Sequence, residues 1–329
     1  MSLEHLEIVG TGSYLPCEVV GTDEFVGREM WAYDIDENRV GGPRTFTAQE
    51  IVDVTGIYER RRSSADEWPS DMGYVASQRA LERAGVSPKD LVGIIVATVS
   101  ERINFPSAAV KIQLRLGAEN VCIAYDLQNA CAGYPVALMT ANALSRDFPG
   151  YWLAVASEVL TKINDPTDIN SHLFGDGAGA AVLHSTRENK GILKCYSESK
   201  PFEGMSEMIF RGQNPDCIRM PNGRAVFKKA VGSLVGSVMS LKKDLKWERA
   251  DVYIPHQANE RIIAEVERRL SEDGAIVYRN VAKYGNMSAA TCAVALDEAI
   301  RDGTIGEGNR VILTSFGAGL VTSAVALQF

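Results

Sequence analysis

The chain lacks several features that would place it in common classes of protein. Its six cysteines, at positions 17, 122, 131, 195, 217 and 292, contain no CxxC pair, which argues against a zinc site and a disulfide framework. No apolar run approaches the ~20 residues that a membrane-spanning helix needs. No basic segment followed by an apolar stretch, the pattern of a signal peptide, opens the chain. The formal net charge of −8 makes broad nucleic-acid binding unfavourable.

The remaining composition is typical of a cytoplasmic enzyme. Apolar residues make up 46% of the 329 residues, enough to bury a large core in two domains or one double-sized unit. A reducing cytoplasm agrees with the scattered cysteines and would keep a nucleophilic thiol active. We therefore expect no metal, no bound organic cofactor, and neither a nucleic-acid nor a membrane partner.

Strand-like and helix-like segments alternate along the chain. Strands are predicted at 6–10, 91–99, 121–125, 152–156 and 178–183, and helices at 71–84, 107–116, 133–145, 225–245, 260–270 and 288–301. This alternation favours parallel strands joined by crossover helices. The two halves of the chain also echo each other, because the glycine-rich segments 174–179 and 316–319 each lead into a strand-like run. We infer an internal duplication with its boundary near residue 185.

Cys131 is the candidate nucleophile, at the junction of a strand-like run and a helix-like run. The positive end of a helix dipole lowers the pKa of a nearby thiol and favours the nucleophilic thiolate. The small neighbours Ala130, Ala132 and Gly133 leave room for a substrate to reach the sulfur. From this residue alone, a buried structural cysteine is an equally good interpretation.

Two further polar residues occupy positions where side chains are often presented for function. His256 follows a strand-like run, and Asn286 follows the glycine turn at Gly285. Each alone would more often be structural. One Cys, one His and one Asn in such contexts form a possible nucleophile set, and the three together favour catalysis.

One glycine pattern is discounted as a nucleotide site. Gly175, Gly177 and Gly179 form a GxGxG run, but the run precedes a strand-like segment, whereas a dinucleotide loop must open a helix. These glycines are predicted to permit close backbone packing.

An ordered series of motifs resembles the ketoacyl-acyl-carrier-protein synthase III family of the thiolase superfamily. The motifs lie, nearly end to end, at 10–16, 55–60, 104–109, 130–133, 165–168, 174–181, 256–259, 285–290 and 316–319. The resemblance implies an α/β thiolase fold in which two duplicated αβ halves form a five-layered αβαβα core. Residues 1–185 would carry the nucleophile Cys131, and residues 186–329 would carry His256 and Asn286.

The resemblance also implies the reaction of a ketoacyl synthase, an acyltransferase. Cys131 would receive an acyl group from an acyl-CoA or acyl-carrier-protein donor. A decarboxylative Claisen condensation with malonyl-ACP would then give a 3-oxoacyl-ACP, as in fatty-acid or polyketide initiation. His256 and Asn286 would stabilise the enolate, and the backbone N–H groups of Cys131 and Ala318 would bind the acyl oxyanion. Ala318 stands where the family usually has glycine.

Further roles implied by the resemblance concern the acyl pocket and the assembly. A homodimer is expected, in which Phe105 reaches into the acyl pocket of the neighbouring subunit. Phe316 and Met287 are candidates to border the pocket.

A basic patch is expected where an acidic carrier protein docks. Arg261 and Arg268 lie seven residues apart, so they share one face of the predicted helix 260–270. Lys228 matches a position that the family uses for docking, as does Arg261. An ordinary solvated helix face is the alternative.

The chain departs from the family where relatives that prime from acetyl-CoA sandwich the adenine between a tryptophan and arginines. These positions are Glu50, Val54 and Ile169 here. Without aromatic and cationic faces, we expect poor CoA binding by that route. The segment 24–49 is also longer than in the family, and it contains Trp31, Tyr33, Arg39 and Arg44. It could form a different clamp for a longer acyl-CoA or an acyl-carrier protein, or a surface insertion without a role.

Three other functions remain as alternatives. Acyl transfer to an oxygen or nitrogen nucleophile would not need the enolate-stabilising amide of Asn286. A degradative thiolase would need a second cysteine near the C-terminal glycine loop, and residues 316–320 contain none. A non-catalytic partner subunit would usually have lost the nucleophile, and Cys131 is present.

Overall fold

The computed structural model describes residues 5–186, 189–201, 209–212, 216–270 and 274–329. The strands are β1 His5–Tyr14, β2 Glu18–Gly21, β3 Met30–Tyr33, β4 Arg39–Arg44, β5 Glu59–Arg62, β6 Leu91–Ala97, β7 Ile123–Leu127, β8 Tyr151–Val159, β9 Asp176–Thr186, β10 Gly191–Ser199, β11 Phe210–Arg211, β12 Ile218–Arg219, β13 Val252–Pro255, β14 Ile276–Val277, β15 Arg310–Gly317 and β16 Val321–Gln328. The helices are α1 Ala48–Thr55, α2 Pro69–Ala84, α3 Ala108–Leu116, α4 Gly133–Leu144, α5 Gly223–Leu245, α6 Glu260–Leu270, α7 Val281–Tyr284 and α8 Ala290–Arg301.

Two five-stranded sheets with the same internal order form the framework. The first runs β1-β9-β8-β6-β7, and the second runs β10-β16-β15-β13-β14. In each, a parallel pair is followed by an antiparallel one: β6–β8 and β8–β9 in the first sheet, β13–β15 and β15–β16 in the second. The strands of the first sheet fall within 5–186 and those of the second within 191–328.

Helices separate and cover the two sheets. Helices α2 and α3 pack on the outer face of the first sheet, α5 packs on the outer side of the second sheet, and α6 packs against α5. Helices α4 and α8 lie between the sheets, where α4 contacts β8 and β16 and α8 contacts β9 and β13. The order helix, sheet, helix, sheet, helix confirms the five-layered αβαβα core that was predicted.

The predicted strand directions were only partly right. Strands β6, β7 and β8 are parallel, but β9 pairs antiparallel with both β8 and β1. A parallel connection needs a crossover of a dozen or more residues that is usually helical. The segment between β8 and β9 contains only two short 3-10 turns, Leu160–Lys162 and Ser171–Leu173, so β9 returns antiparallel.

The glycines of β9 let the central helix layer approach the first sheet closely. A Cβ atom at Gly179 would lie 2.5 Å from the Cβ of Ala293 in α8, and one at Gly177 would lie 2.6 Å from Met287 Sδ. Since real Cβ atoms do not come so close, only glycine fits there. The glycine run thus places residues 286–288 against β9, in agreement with the structural role predicted for it.

No helix of the described residues combines the length and the apolar character needed to cross a membrane.

Candidate active site

Cys131 lies where β7 has ended and α4 is about to begin. It occupies the 3-10 turn Ala130–Ala132, and Ala130 has a left-handed backbone with φ of 45°. No side chain caps the N-terminus of α4, so its first backbone N–H groups have no partner of that kind. The side chain of Cys131 is partly exposed and lines a cavity of about 570 Å³. A substrate that enters this cavity can reach the sulfur.

The resting thiol of Cys131 is less acidic than the sequence predicted. Burial raises its pKa to about 11, and the carboxyl of Glu158 acts in the same direction. The hydroxyl of Ser288 acts in the opposite direction, because a hydrogen bond to the sulfur favours the thiolate. Loss of hydration is the largest cause of this shift, and with a pKa of about 11 the thiol is protonated at neutral pH.

His256 directly follows β13 and is held by hydrogen bonds of its backbone and of its ring. Its backbone N–H donates to the Thr314 carbonyl at 2.8 Å, and its Nδ1 lies 2.7 Å from Thr291 Oγ1. The Thr291 hydroxyl in turn donates to the Ser288 carbonyl at 2.9 Å, so it accepts from Nδ1–H. Burial lowers the pKa of His256 to about 3, which leaves the ring neutral. In this arrangement Nε2 is an acceptor, and it becomes a donor only if the Thr291 hydroxyl turns towards Nδ1.

Asn286 is fixed by its own loop. Gly285 has φ of 65°, and the Asn286 backbone exchanges hydrogen bonds with the 173–175 segment: its N–H donates to the Leu173 carbonyl at 2.8 Å, and its carbonyl accepts from Gly175 N–H at 3.0 Å. The side-chain oxygen accepts from the Ser288 N–H at 2.8 Å. The amide NH2 is therefore the group left to donate to a ligand.

The structure brings the three predicted residues to one place. Cys131, His256 and Asn286 all line the same cavity, although they come from three separate parts of the chain. Phe316 and Ala318 line it as well, next to the nucleophile. Ser315 Oγ donates to the Cys131 carbonyl at 2.5 Å, and a Cβ atom at Gly317 would lie 3.1 Å from the Cys131 nitrogen. The backbone segments proposed to supply the oxyanion donors are thus adjacent.

Two predicted pocket residues do not lie on the wall of this cavity. Met287 is fully buried in the core against Gly177 and does not line this cavity, so its place at the edge of the acyl pocket stays a prediction. Phe105 is 90% exposed and does not line the cavity of its own chain.

The outer end of the cavity is formed by exposed residues, whereas His256 and Asn286 are buried. Its wall there includes Glu50, Val54 and Ile169, the three positions where an adenine clamp was missing from the sequence. The Glu50 carboxylate is engaged within its own helix, because it caps α1 with bonds of 2.8 Å and 2.9 Å from the N–H and hydroxyl of Thr47.

Three arginines surround this entrance: Arg44, Arg224 and Arg261. None of them forms an ion pair with a residue that the structure describes. Lys228 is exposed one helical turn after Arg224 on α5 and is likewise without such a pair. Arg268 differs, because it is paired with Glu265 at 2.7 Å and lies outside the cavity lining. Of the predicted docking residues, Arg261 and Lys228 keep an available charge.

The segment 24–49 carries one side of the entrance. Its hairpin β3–β4 is joined to the 165–169 loop, since Trp31 donates to the Thr167 carbonyl at 2.7 Å and accepts from Ile169 N–H at 2.9 Å. The Arg39 guanidinium lies 4.7 Å from the centre of the Trp31 ring. The end of the hairpin places Arg44 at the cavity, and Phe46, two residues later, lines the cavity as well.

A buried arginine ties this hairpin to the 165–169 loop. Arg219 is 1% exposed and pairs with Asp165 at 2.9 Å and Asp168 at 3.0 Å. Its guanidinium also lies 3.7 Å from the centre of the Tyr33 ring. The insertion is therefore an integrated part of the fold.

Sequence reasoning missed four residues of the site: Glu158, Ser288, Thr291 and Arg224. Glu158 offered one signal, since it is the one charged residue of strand β8 and lies near its end. Ser288 and Thr291 lie beside Asn286 in sequence, but small polar residues near a helix start are common. Their roles depend on contacts with Cys131 and His256.

A cysteine at a helix start, a neutral histidine and an oriented asparagine in one cavity of an αβαβα core define a thiol-dependent acyl-transferring enzyme of the thiolase fold. The family 3-oxoacyl-[acyl-carrier-protein] synthase III matches residues 125–201, and its C-terminal domain matches residues 241–329. The chain belongs to the β-ketoacyl-[acyl-carrier-protein] synthase III family, whose members are acyl-transferring condensing enzymes.

Relatives of known sequence and structure support this assignment over the whole chain. β-Ketoacyl-[acyl-carrier-protein] synthase III 1 of Halalkalibacterium halodurans is 38% identical and covers 98% of both chains. The crystal structure of the synthase III from Aquifex aeolicus VF5 has a TM-score of 0.86 at 33% identity, over 98% of this chain and 100% of the other. The priming β-ketosynthase from the R1128 polyketide biosynthetic pathway has a TM-score of 0.85 at 30% identity, over 99% and 96%.

Proposed function

We propose that the protein catalyses the two half-reactions of a ketoacyl synthase III at Cys131. The observation that carries this proposal is the convergence of Cys131, His256 and Asn286 on one cavity with an arginine-lined entrance. The residues come from the two halves, 1–185 and 186–329, which we propose as the domains of the chain. The six free cysteines agree with a reducing, cytoplasmic location.

In the first half-reaction, Cys131 attacks the thioester carbonyl of an acyl donor. A covalent acyl-enzyme forms and the donor thiol leaves, so one difficult reaction is divided into two easier ones. The backbone N–H groups of Cys131 and Ala318 are proposed to bind the oxyanion of the tetrahedral intermediate. Their adjacency, through the close approach of Gly317 to Cys131, supports this assignment.

In the second half-reaction, malonyl-ACP loses CO2 and the resulting enolate attacks the acyl-Cys131 carbonyl. The Asn286 amide NH2 is proposed to donate to the enolate oxygen, because its own oxygen is already held by Ser288. His256 is proposed as the second donor, through Nε2–H after the Thr291 hydroxyl has turned. The neutral ring suits this role, because an imidazole with a low pKa can donate a hydrogen bond while it stays uncharged.

The entrance is proposed to receive the phosphopantetheine arm of an acyl donor and of malonyl-ACP. Arg44, Arg224 and Arg261 supply cations for its phosphate, and Lys228 extends the positive charge along α5 towards an acidic carrier. A homodimer is proposed because Phe105, a large apolar side chain, is 90% exposed. It would be covered by insertion into the neighbouring subunit.

The test is the intact mass of the protein after incubation with a panel of acyl-CoAs and acyl-carrier proteins. We expect a mass gain of one acyl group for the wild type and none for Cys131→Ala. Cys122→Ser, at an exposed cysteine that does not line the cavity, should still gain the acyl group. A labelled Cys131→Ala protein would reject Cys131 as the nucleophile, and failure to form 3-oxoacyl-ACP from acylated enzyme and malonyl-ACP would favour simple acyl transfer.

A further inference from the structure

A buried carboxylic acid lies behind the candidate nucleophile. Glu158, the second-last residue of β8, has no exposed surface and is not part of the cavity wall. No lysine or arginine in the described part of the chain forms an ion pair with it. A buried acid without a cation must be hydrogen-bonded or protonated. The proposed half-reactions do not use this buried acid.

Three donors from one loop hold one oxygen of this acid. Glu158 Oε2 accepts from Ser100 Oγ at 2.5 Å, from Val99 N–H at 3.1 Å and from Thr98 Oγ1 at 3.3 Å. The other oxygen, Oε1, is buried and has no hydrogen bond of good geometry among the described residues. One oxygen is thus anchored, and the other keeps its capacity to accept a proton.

Ser288 connects this acid to the nucleophile. Its hydroxyl lies near both the Cys131 thiol and the Glu158 carboxyl and acts to lower the pKa of each. Among the described residues it forms no hydrogen bond of good geometry with Glu158 Oε1 in the resting state, so the relay requires the hydroxyl to turn. The residue is 4% exposed and has a left-handed backbone with φ of 48°, which is unfavourable for a residue other than glycine. Bonds from its N–H to Asn286 Oδ1 and from Thr291 Oγ1 to its carbonyl hold it in this conformation.

We propose that Glu158 accepts the thiol proton of Cys131 through the Ser288 hydroxyl during acyl loading and returns it after condensation. This role rests on the proposed function. As the sulfur attacks, Ser288 takes the thiol proton and passes its own proton to Glu158. The Cys131 S–C bond forms, the donor S–C bond breaks, and the donor thiolate leaves and takes a proton from solvent.

Condensation reverses the proton transfer. The enolate forms the new carbon–carbon bond, the Cys131 S–C bond breaks, and the sulfur leaves with the electron pair. The proton held on Glu158 then returns through Ser288 to the sulfur. The enzyme is restored as thiol and carboxylate, and the full cycle consumes one proton from solvent, as decarboxylation requires.

The protonation states of the groups nearby agree with this assignment. Burial raises the pKa of Glu158 to about 7, so the carboxylate is available near neutral pH, whereas the low pKa of His256 makes it a poor proton acceptor. The titratable group that faces Glu158 is Cys131; its other neighbours are the hydroxyls of Thr98, Ser100 and Ser288. Asp176 pairs across from Val159, but its carboxylate accepts from Ser63 and Thr161.

The test compares two rates at Cys131, acylation by the donor and alkylation by iodoacetamide, from pH 5.5 to 9. Glu158→Gln removes the acceptor and also a negative charge, which lowers the pKa of the thiol. We expect alkylation to become faster and acylation at pH 7 to slow at least tenfold. The increase of the acylation rate with pH near pH 7 should also be absent from this variant. Ser288→Ala should slow acylation similarly without changing the charge.

The matched control is Glu101→Gln, another buried acid, whose oxygens accept from Ser70 N–H and Lys111. Its acylation rate and pH profile should equal those of the wild type. A Glu158→Gln protein, or a Ser288→Ala protein if the former does not fold, with wild-type acylation and an unchanged profile overturns the relay alone. A wild-type protein that no donor acylates overturns both the relay and the proposed function.

Discussion

The side-chain oxygen of Asn286 accepts a 2.8 Å hydrogen bond from the backbone N–H of Ser288, two residues further along the chain. This bond decides which end of the amide can meet a ligand, because a carbonyl oxygen that is already occupied leaves the NH2 group to donate. The amide end of Asn286 can therefore stabilise a negative oxygen in the cavity.

The first prediction concerns Asn286 itself. Asn286→Ala should slow condensation by about 10²–10³-fold, the typical effect of losing one donor to a developing oxyanion. Acylation of Cys131 should fall much less, because the enolate forms only in the second half-reaction and the bond from Thr291 Oγ1 still holds Ser288. Single-turnover acylation, followed by mass, and 3-oxoacyl-ACP formation measure the two steps separately. Equal losses in both steps would show that Asn286 shapes the cavity as a whole.

A second prediction concerns the charges at the entrance. Arg224→Glu and Arg261→Glu should each raise the KM for malonyl-ACP severalfold at low ionic strength, with a small effect on kcat, because they weaken binding of an anionic substrate. Added salt should reduce the difference, since it screens exposed charges. Arg268→Glu is the control on the same face of α6, because its charge is already paired with Glu265. An equal effect at Arg268 would favour a general effect of net charge.

A third prediction concerns the buried arginine that joins the hairpin to the 165–169 loop. Arg219→Met should lower the free energy of unfolding by about 3–5 kcal/mol, because Asp165 and Asp168 would remain without their cation. Urea denaturation followed by circular dichroism measures this change. A second substitution, Asp168→Asn, should recover part of the loss by removing one uncompensated charge. A loss below about 1 kcal/mol would contradict the buried pairing.

A fourth prediction concerns His172, which is buried and lines the cavity. Burial, with the charge of Arg60, lowers its pKa to about 4, so the unfolded chain binds the proton more readily. A group with a lowered folded pKa stabilises the fold above its unfolded pKa, and this stability is lost as the pH falls from about 6.5 to 4.

At pH 5 the expected loss from this histidine is about 2 kcal/mol of unfolding free energy relative to pH 7.5. His172→Gln should lack this component, so its unfolding free energy should fall less between the two pH values. Urea denaturation of both proteins at pH 7.5 and pH 5 gives the difference directly. Parallel pH dependences in the two proteins would mean that folding does not lower the pKa of His172.

Much of the fold could be predicted because it depends on local patterns. The predicted strands and helices match structural elements within four residues at either end, since apolar periodicity and turn residues are local signals. The antiparallel return of β9 was not predicted. It depends on the absence of a crossover helix between β8 and β9, which a count of alternating segments does not detect.

The candidate site also contains residues that local sequence context revealed and properties that it could not reveal. Cys131, His256 and Asn286 were found from their local contexts, and the structure places all three on one cavity. The lowered pKa of the Cys131 thiol was predicted from its place at a helix start, and it was wrong because burial raises that pKa. The docking role of Arg268 and the place of Met287 at the acyl pocket stay predictions. The sequence could not show that Arg268 pairs with Glu265 or that Met287 packs on Gly177, because both contacts depend on neighbours in space.

The sequence by itself determined the chemical groups of this protein and the order of the elements that carry them. Only the tertiary structure decided the protonation of Cys131 and the position of Ser288 near both Cys131 and Glu158. The physical reason is that hydration and electrostatic interactions act over a few ångströms. Residues 131, 158 and 288 come within that range only when both halves of the chain have folded together.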